Sequence, residues 1–152
     1  MKIQFYLLFG ILLLIPVFVP AQTAAEMERL LGTNAVSYEQ AARFVLEAAD
    51  VPGFSGTSNP SEAFRYAADN KWLPRKASAG DEATLQGVAL LIMESFGIKG
   101  GFFYSMVKTS HYAYRELVYR SIIQGRTDPQ MTIAGDYLLF LIGKSLEYTE
   151  GE

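Results

Sequence analysis

Thr84-Leu85-Gln86-Gly87-Val88-Ala89-Leu90-Leu91-Ile92-Met93-Glu94-Ser95-Phe96 is the stretch on which the reading of the fold turns. Its apolar side chains at Leu85, Val88, Ala89, Ile92 and Phe96 follow the i, i+3, i+4, i+7, i+11 series of a core-facing helix. Leu90, Leu91 and Met93 fill most of the opposite side, so the pattern predicts a helix buried nearly all round. The same series stands 47 residues earlier (85 minus 38) at Tyr38, Ala41, Ala42, Val45 and Ala49. A third apolar helix is expected over Thr132–Tyr148, again led by a threonine. Apolar helices at a near-constant period predict an all-α fold.

The segments before these helices also match. Ala63-Phe64-Arg65 and Ala113-Tyr114-Arg115 both read Ala-aromatic-Arg. Each opens into an apolar pair, Trp72-Leu73 or Ile122-Ile123, then a polar turn, then the apolar helix. The unit is helix, extended pair, loop, helix. A reduced copy at the front would use Leu30-Leu31 as its pair and Gly32–Val36 as its loop.

Local signals set the boundaries. A short helix is expected over Thr23–Leu31. Ser37 can cap the next helix, with Glu39 and Gln40 suited to its first turn. The segment from Asp50 to Pro60 is rich in breakers and reads as a long loop. Pro60 or Ser61 starts the helix that turns Ala63, Phe64, Ala67 and Ala68 inward. Gly97 ends the central helix, and Gly100-Gly101 suggests a hinge before one further helical turn. Ser110 begins a helix through Arg120 with Tyr114, Leu117 and Val118 inward. Thr149–Glu152 is expected to fray.

Residues 1–21 read as an address rather than as part of the fold. Lys2 is followed by an apolar run over Ile3–Val19, and Val19-Pro20-Ala21 places small residues at −3 and −1 before Gln22. This is the layout of a cleaved signal peptide; the rival reading is an uncleaved membrane anchor. Residues 22–152 suffice for one domain with a real core. The 152-residue chain has no cysteine, so no disulfide staples it, and its net charge is −3. It shows no basic stripe of the kind a nucleic-acid partner requires. A bacterial envelope location, periplasm or cell surface, is the expectation.

In this order of elements the chain resembles the S-layer homology domain, which has three repeats of about this length. Thr84 matches the threonine that opens that family's second helix, Ala89 its alanine, and Leu90-Leu91 its leucines. Ser121-Ile122-Ile123-Gln124-Gly125 looks like its Gly-Ile-Ile-x-Gly segment; Thr132 takes the helix-opening place in the third unit, Ser37 and Ala42 the matching places in the first. The resemblance covers Thr23 to Tyr148. The motif's arginine and glutamate are replaced by Leu85 and Gly87, by Ile133 and Gly135, and by Tyr38 and Gln40. It therefore implies three degenerate helix-loop-helix repeats packed as one bundle more than it implies a ligand. Helix-pair repeats of the HEAT type share the period but lack the extended apolar pair.

Catalytic and metal chemistry find little footing. One histidine, His111, and no cysteine do not make a zinc set. No serine sits in a Gly-x-Ser-x-Gly elbow, and no glycine-rich phosphate loop is present. A carboxylate pair drawn from Glu82, Glu94, Glu116 and Asp128 would be the basis of a small envelope hydrolase. The expectation is instead a non-catalytic protein without cofactor that binds a cell-wall polymer or an envelope protein. A structural subunit of an envelope assembly is the further alternative. The membrane enters only through the leader before cleavage.

Two features could serve binding. Loops beside helix N-termini can hold an anionic group, which singles out Arg75, Lys76 and Thr84 in one unit and Arg126, Asp128 and Thr132 in the next. The dense aromatics Phe102, Phe103, Tyr104, Tyr112, Tyr114 and Tyr119 would form a stacking face if exposed. The expectation from how aromatics partition is packing inside the core.

Overall fold

The first amides of an α-helix have no partner within the helix, so a helix that starts inside a protein must find acceptors elsewhere. That requirement organises this molecule. The computed structural model describes residues 19–52, 54 and 59–151, with side chains from residue 24 onward. Among these residues the chain is all-α. The helices are α1 (Val19–Leu31), α2 (Tyr38–Ala48), α3 (Pro60–Asp69), α4 (Leu85–Ser95), α5 (Phe102–Met106), α6 (Ser110–Tyr119) and α7 (Gly135–Glu150). None is long and apolar enough to cross a membrane.

The segments entering α2, α4 and α7 meet at one point and exchange backbone bonds in a closed ring. Ala83 N–H donates to Val36 C=O at 2.8 Å, Val36 N–H to Ile133 C=O at 2.9 Å, and Ile133 N–H to Ala83 C=O at 3.3 Å. All three residues are fully buried. One step further along, the first helical amides take acceptors from the neighbouring segment. Tyr38 N–H reaches Asp81 C=O at 3.0 Å, Leu85 N–H reaches Met131 C=O at 2.9 Å, and Gly135 N–H reaches Thr33 C=O at 2.9 Å. The second amides of α2 and α4 do likewise, Glu39 to Ala79 C=O and Gln86 to Pro129 C=O.

Side chains supply the third amide of each helix. Ser37 Oγ accepts from Gln40 N–H while the Gln40 side chain returns to Ser37 N–H, a complete capping box. Thr84 Oγ1 accepts from Gly87 N–H. In α7 the capping residue is Ala134, which has no hydroxyl, and Asp136 Oδ1 accepts from Tyr137 N–H instead. The expected start at Thr132 is therefore corrected. Thr132 is held in a backbone bridge with Thr84, and the helix opens at Gly135. Its far end also differs from expectation, running to Glu150, with Thr149 Oγ1 bonded to Ser145 C=O.

Four helices close by one device. Asp50, Lys71, Gly97 and Ser121 take positive φ after α2, α3, α4 and α6. The next residue's amide then reaches back to the last turn: Val51 to Leu46, Trp72 to Ala67, Ile98 to Met93, and Ile122 to Leu117. This is the Schellman arrangement, and its following residue is apolar and docks against the helix it ends. Val51, Ile98 and Ile122 are buried and Trp72 half-buried.

The helices then pack in pairs: α2 with α3, α4 with α6, and α7 with α1, while α2 also touches α4 and α7. As the sequence pattern predicts, α4 is buried almost all round, with Gly87 through Met93 and Leu85 inside. Gly87 has its space taken by the Tyr38 ring, whose hydroxyl lies 3.1 Å from Thr84 Oγ1. Gly135 is packed against the Leu30 backbone carbonyl with no room for a methyl group. Ala63 and Ala67 of α3 and Ala113 and Leu117 of α6 face inward.

Some residues expected inside are not. Ala68 and Val118 are exposed, because the paired helix covers only the stripe through Ala63 and Ala67, or Ala113 and Leu117. Residues 1–18 of the expected leader lie outside the described residues, as do Gly53 and residues 55–58 of the expected long loop. Helix α1 runs through Val19-Pro20-Ala21, the expected cleavage site.

Candidate functional site: a basic groove at the start of α6

Helix α3 ends at Asp69, and the chain crosses from Lys71 through Leu73 and Pro74 to Ala77 over the middle of α4. The segment leading into α6 returns beside it. An open groove of about 760 Å³ lies between them, with Leu73 and Leu90 among its apolar lining. Lys71, Arg75 and Lys108 border it, and the start of α6 at Thr109 and Ser110 closes one end. Thr109 Oγ1 accepts from Tyr112 N–H at 3.4 Å. The amides of Ser110 and His111 find no acceptor among the described residues. Three cations beside a helix N-terminus make a setting for phosphate or carboxylate.

Lys71 is placed by its positive φ, which turns the chain off the end of α3. Lys108 is placed by Glu94, whose carboxylate it meets at 3.0 Å. Glu94 also accepts from the Tyr104 hydroxyl at 2.6 Å. Burial and then that bond raise the Tyr104 pKa well above the ordinary phenol value. A shallower cavity of about 520 Å³ opens on the other side of this cluster, bordered by Glu94, Lys99, Tyr104 and Lys108.

Of the residues singled out from sequence, Arg75 borders the groove. Lys76 is its exposed neighbour and lies outside the lining. Thr84 serves as the cap of α4, its hydroxyl engaged by Gly87 and Tyr38. Arg126 is exposed in a turn that Tyr114 braces by donating to Thr127 C=O at 2.9 Å. Asp128 is exposed and accepts from Gln130 N–H at 2.9 Å. Thr132 is bridged to Thr84. The groove thus gathers Arg75 with two residues that sequence reasoning passed over, Lys71 and Lys108. The signal for Lys108 was present: it immediately precedes Thr109, a competent N-cap.

Glu82 and Glu94 do not stand as a glycosidase pair. Glu82 precedes α4 and Glu94 is near its end, which at 1.5 Å per residue sets their backbones roughly 15 Å apart. Glycosidase pairs stand about 5–9.5 Å apart. Glu116 is bonded to Gly101 N–H at 2.9 Å and ion-paired with Arg120. Burial opposes the charge of Arg120, but its bonds to Glu116 and Tyr148 outweigh this and raise its pKa. His111 is exposed and meets the Tyr112 ring edge-on. Among the described residues no group of three histidine or acidic side chains could hold a metal.

The aromatic segment departs from the expectation of core packing. Phe102 is 72% exposed, Phe103 65% and Tyr119 85%. Tyr104 is buried, and Tyr112 and Tyr114 are half-buried. Comparison of the chain with protein-family models, with curated proteins and with solved structures finds no match.

Proposed function

We propose that the chain is an exported, non-catalytic envelope protein that docks to an anionic cell-wall polymer. The supporting observation is the groove bordered by Lys71, Arg75 and Lys108 at the start of α6. A polymer bearing phosphate, carboxylate or pyruvate would place its charge against these cations and the free amides of the first turn. Sugar rings would lie over Leu73 and Leu90. On the same reading the chain is three degenerate copies of an S-layer-homology-like unit, and residues 1–21 are the leader that directs export. The ring through Val36, Ala83 and Ile133 supports the copying, because each equivalent segment donates to one neighbour and accepts from the other.

A pull-down on purified wall sacculi tests this. The wild-type chain is expected to sediment with sacculi, and Lys71→Ala with Arg75→Ala to reduce that binding at least tenfold. Raised salt should weaken it as well, since the contacts are ionic. Sacculi stripped of their anionic polymer should no longer retain the protein. Retention unchanged by the double substitution and by stripping rejects the reading. Absence of wall binding together with a concentration-dependent oligomer would favour a subunit of an envelope assembly.

A further inference from the structure

The groove does not use the most exposed apolar residues of the molecule. Helix α5 advances about 100° per residue, so Phe102, Phe103 and Met106 fall within a single arc of about 100° while Tyr104 points the opposite way. Tyr104 is buried and tied to Glu94. Phe102, Phe103, Met106 and the next residue, Val107, are 72, 65, 68 and 52% exposed. Phe103 is also braced from below, its ring stacked on Tyr112 with centroids 6.0 Å apart. Gly101 N–H is fixed on Glu116, and the Lys99 carbonyl accepts from Arg120 at 2.5 Å. The segment is thus held at both ends and through its centre with its apolar side turned to solvent.

Charge surrounds this apolar tip asymmetrically. Lys99 precedes it and Lys108 follows it. Val107 shares the neighbouring groove with Lys71 and Arg75. The nearby carboxylates Glu94 and Glu116 are already engaged, by Lys108 and Tyr104 and by Arg120 and Gly101. Lys71, Arg75 and Lys99 have no ion-pair partner among the described residues. A chain of net charge −3 therefore turns a cationic rim outward around a wedge of Phe, Phe, Met and Val.

We propose that α5 is a membrane-surface wedge that seats in the interface of an anionic lipid bilayer. At their exposures Phe102 and Phe103 offer roughly 200–350 Å² between them, and with the smaller Met106 and Val107 the patch stays below the ~800 Å² that each partner contributes to a stable protein interface. Interfacial insertion has no such threshold: it needs a small apolar wedge with cations at headgroup level, and both are here. The wedge shares Val107 and its cationic rim with the polymer groove, but Phe102, Phe103 and Met106 lie outside the groove's lining, so a probe at position 102 reads the wedge alone.

The absence of cysteine from the chain makes the test direct. Phe102→Cys in the full chain carries an environment-sensitive fluorophore at the wedge, and Glu47→Cys carries it on an exposed turn of α2. With vesicles of phosphatidylglycerol and phosphatidylcholine, the probe at position 102 should shift to an apolar emission and resist an aqueous quencher. The probe at 47 should stay aqueous. Lys99→Gln should weaken the binding seen at 102 about fivefold. A probe at 102 that stays aqueous on these vesicles overturns the proposal, even if the leader brings the chain to them. So does equal burial on pure phosphatidylcholine. An apolar shift that grows with protein concentration in the absence of vesicles also overturns it, because a second copy would then be the occupant.

Discussion

The meeting point of the entries to α2, α4 and α7 and the segment from Ile98 to Thr109 are both built from short stretches between the longer helices, and both carry apolar residues. They come to opposite ends. At the meeting point Val36, Ala83 and Ile133 are wholly buried, and the bonds that hold them run from backbone to backbone. Around α5 the anchors run largely through side chains, Tyr104 to Glu94 and Glu116 to Gly101, and the apolar groups Phe102, Phe103 and Met106 stand in solvent. A short run of apolar residues does not by itself say which way it faces. A neighbouring segment able to accept its amides brings it inside, and tethering through one buried side chain leaves the others free.

The strongest way to break this contrast is to force the meeting point apart. Gly135→Ala puts a methyl group onto the Leu30 backbone, which cannot swing away. Urea denaturation should show a loss of about 3 kcal/mol. Gly143→Ala on the same helix meets nothing within 4 Å and should instead gain up to about 1 kcal/mol. Equal behaviour of the two variants would mean that α1 does not press on α7.

The anchor of α5 can be sharpened by pH. Because Tyr104 has its pKa raised by burial and by Glu94, the native state keeps this proton where the unfolded chain releases it, near pH 10. The contribution is complete below about pH 10 and is lost as pH rises beyond it, by about 1 kcal/mol per unit. Tyr104→Phe should flatten that part of the alkaline profile, measured as the urea midpoint against pH. A slope unchanged by the substitution would assign the alkaline loss to other groups.

A smaller effect is expected where the helices end. Ser121 holds φ +59°, a region that L-residues enter at a cost. Ser121→Gly should raise stability by about 1 kcal/mol. Smallest of all, Phe102→Ser should change stability by no more than about 0.5 kcal/mol in the same assay, because its side chain is largely exposed. A larger loss there would show that the rim carries weight in the fold.

How much of this was legible in the sequence depended on whether the signal was local. The α4 periodicity, Ser37 with Gln40, the threonine heading α4 and Pro60 at the start of α3 are local, and they located their helices to within a residue or two. The start of α7 was not, because Ala134 carries no capping group and its place is set by Leu30 and Thr33, about a hundred residues earlier in the chain. Val118 and Ala68 were placed inside on periodicity alone, although a paired helix covers a stripe narrower than the apolar arc. In the groove, Arg75 was visible as a charged loop residue. Lys71 was not, and Lys108 was marked only by its place before the Thr109 cap; that the two border one groove follows from the packing of α6 on α4.

The closed ring of backbone bonds has a consequence for the order of events in synthesis. Two of its three links, and the acceptors for the first two amides of α4, come from residues 129–133. Until that stretch emerges from the ribosome, nothing earlier in the chain can complete the arrangement. The entries to α2 and α4 therefore cannot close on one another through this ring until residues 129–133 have followed them, so its formation waits on a segment made about fifty residues after the second entry.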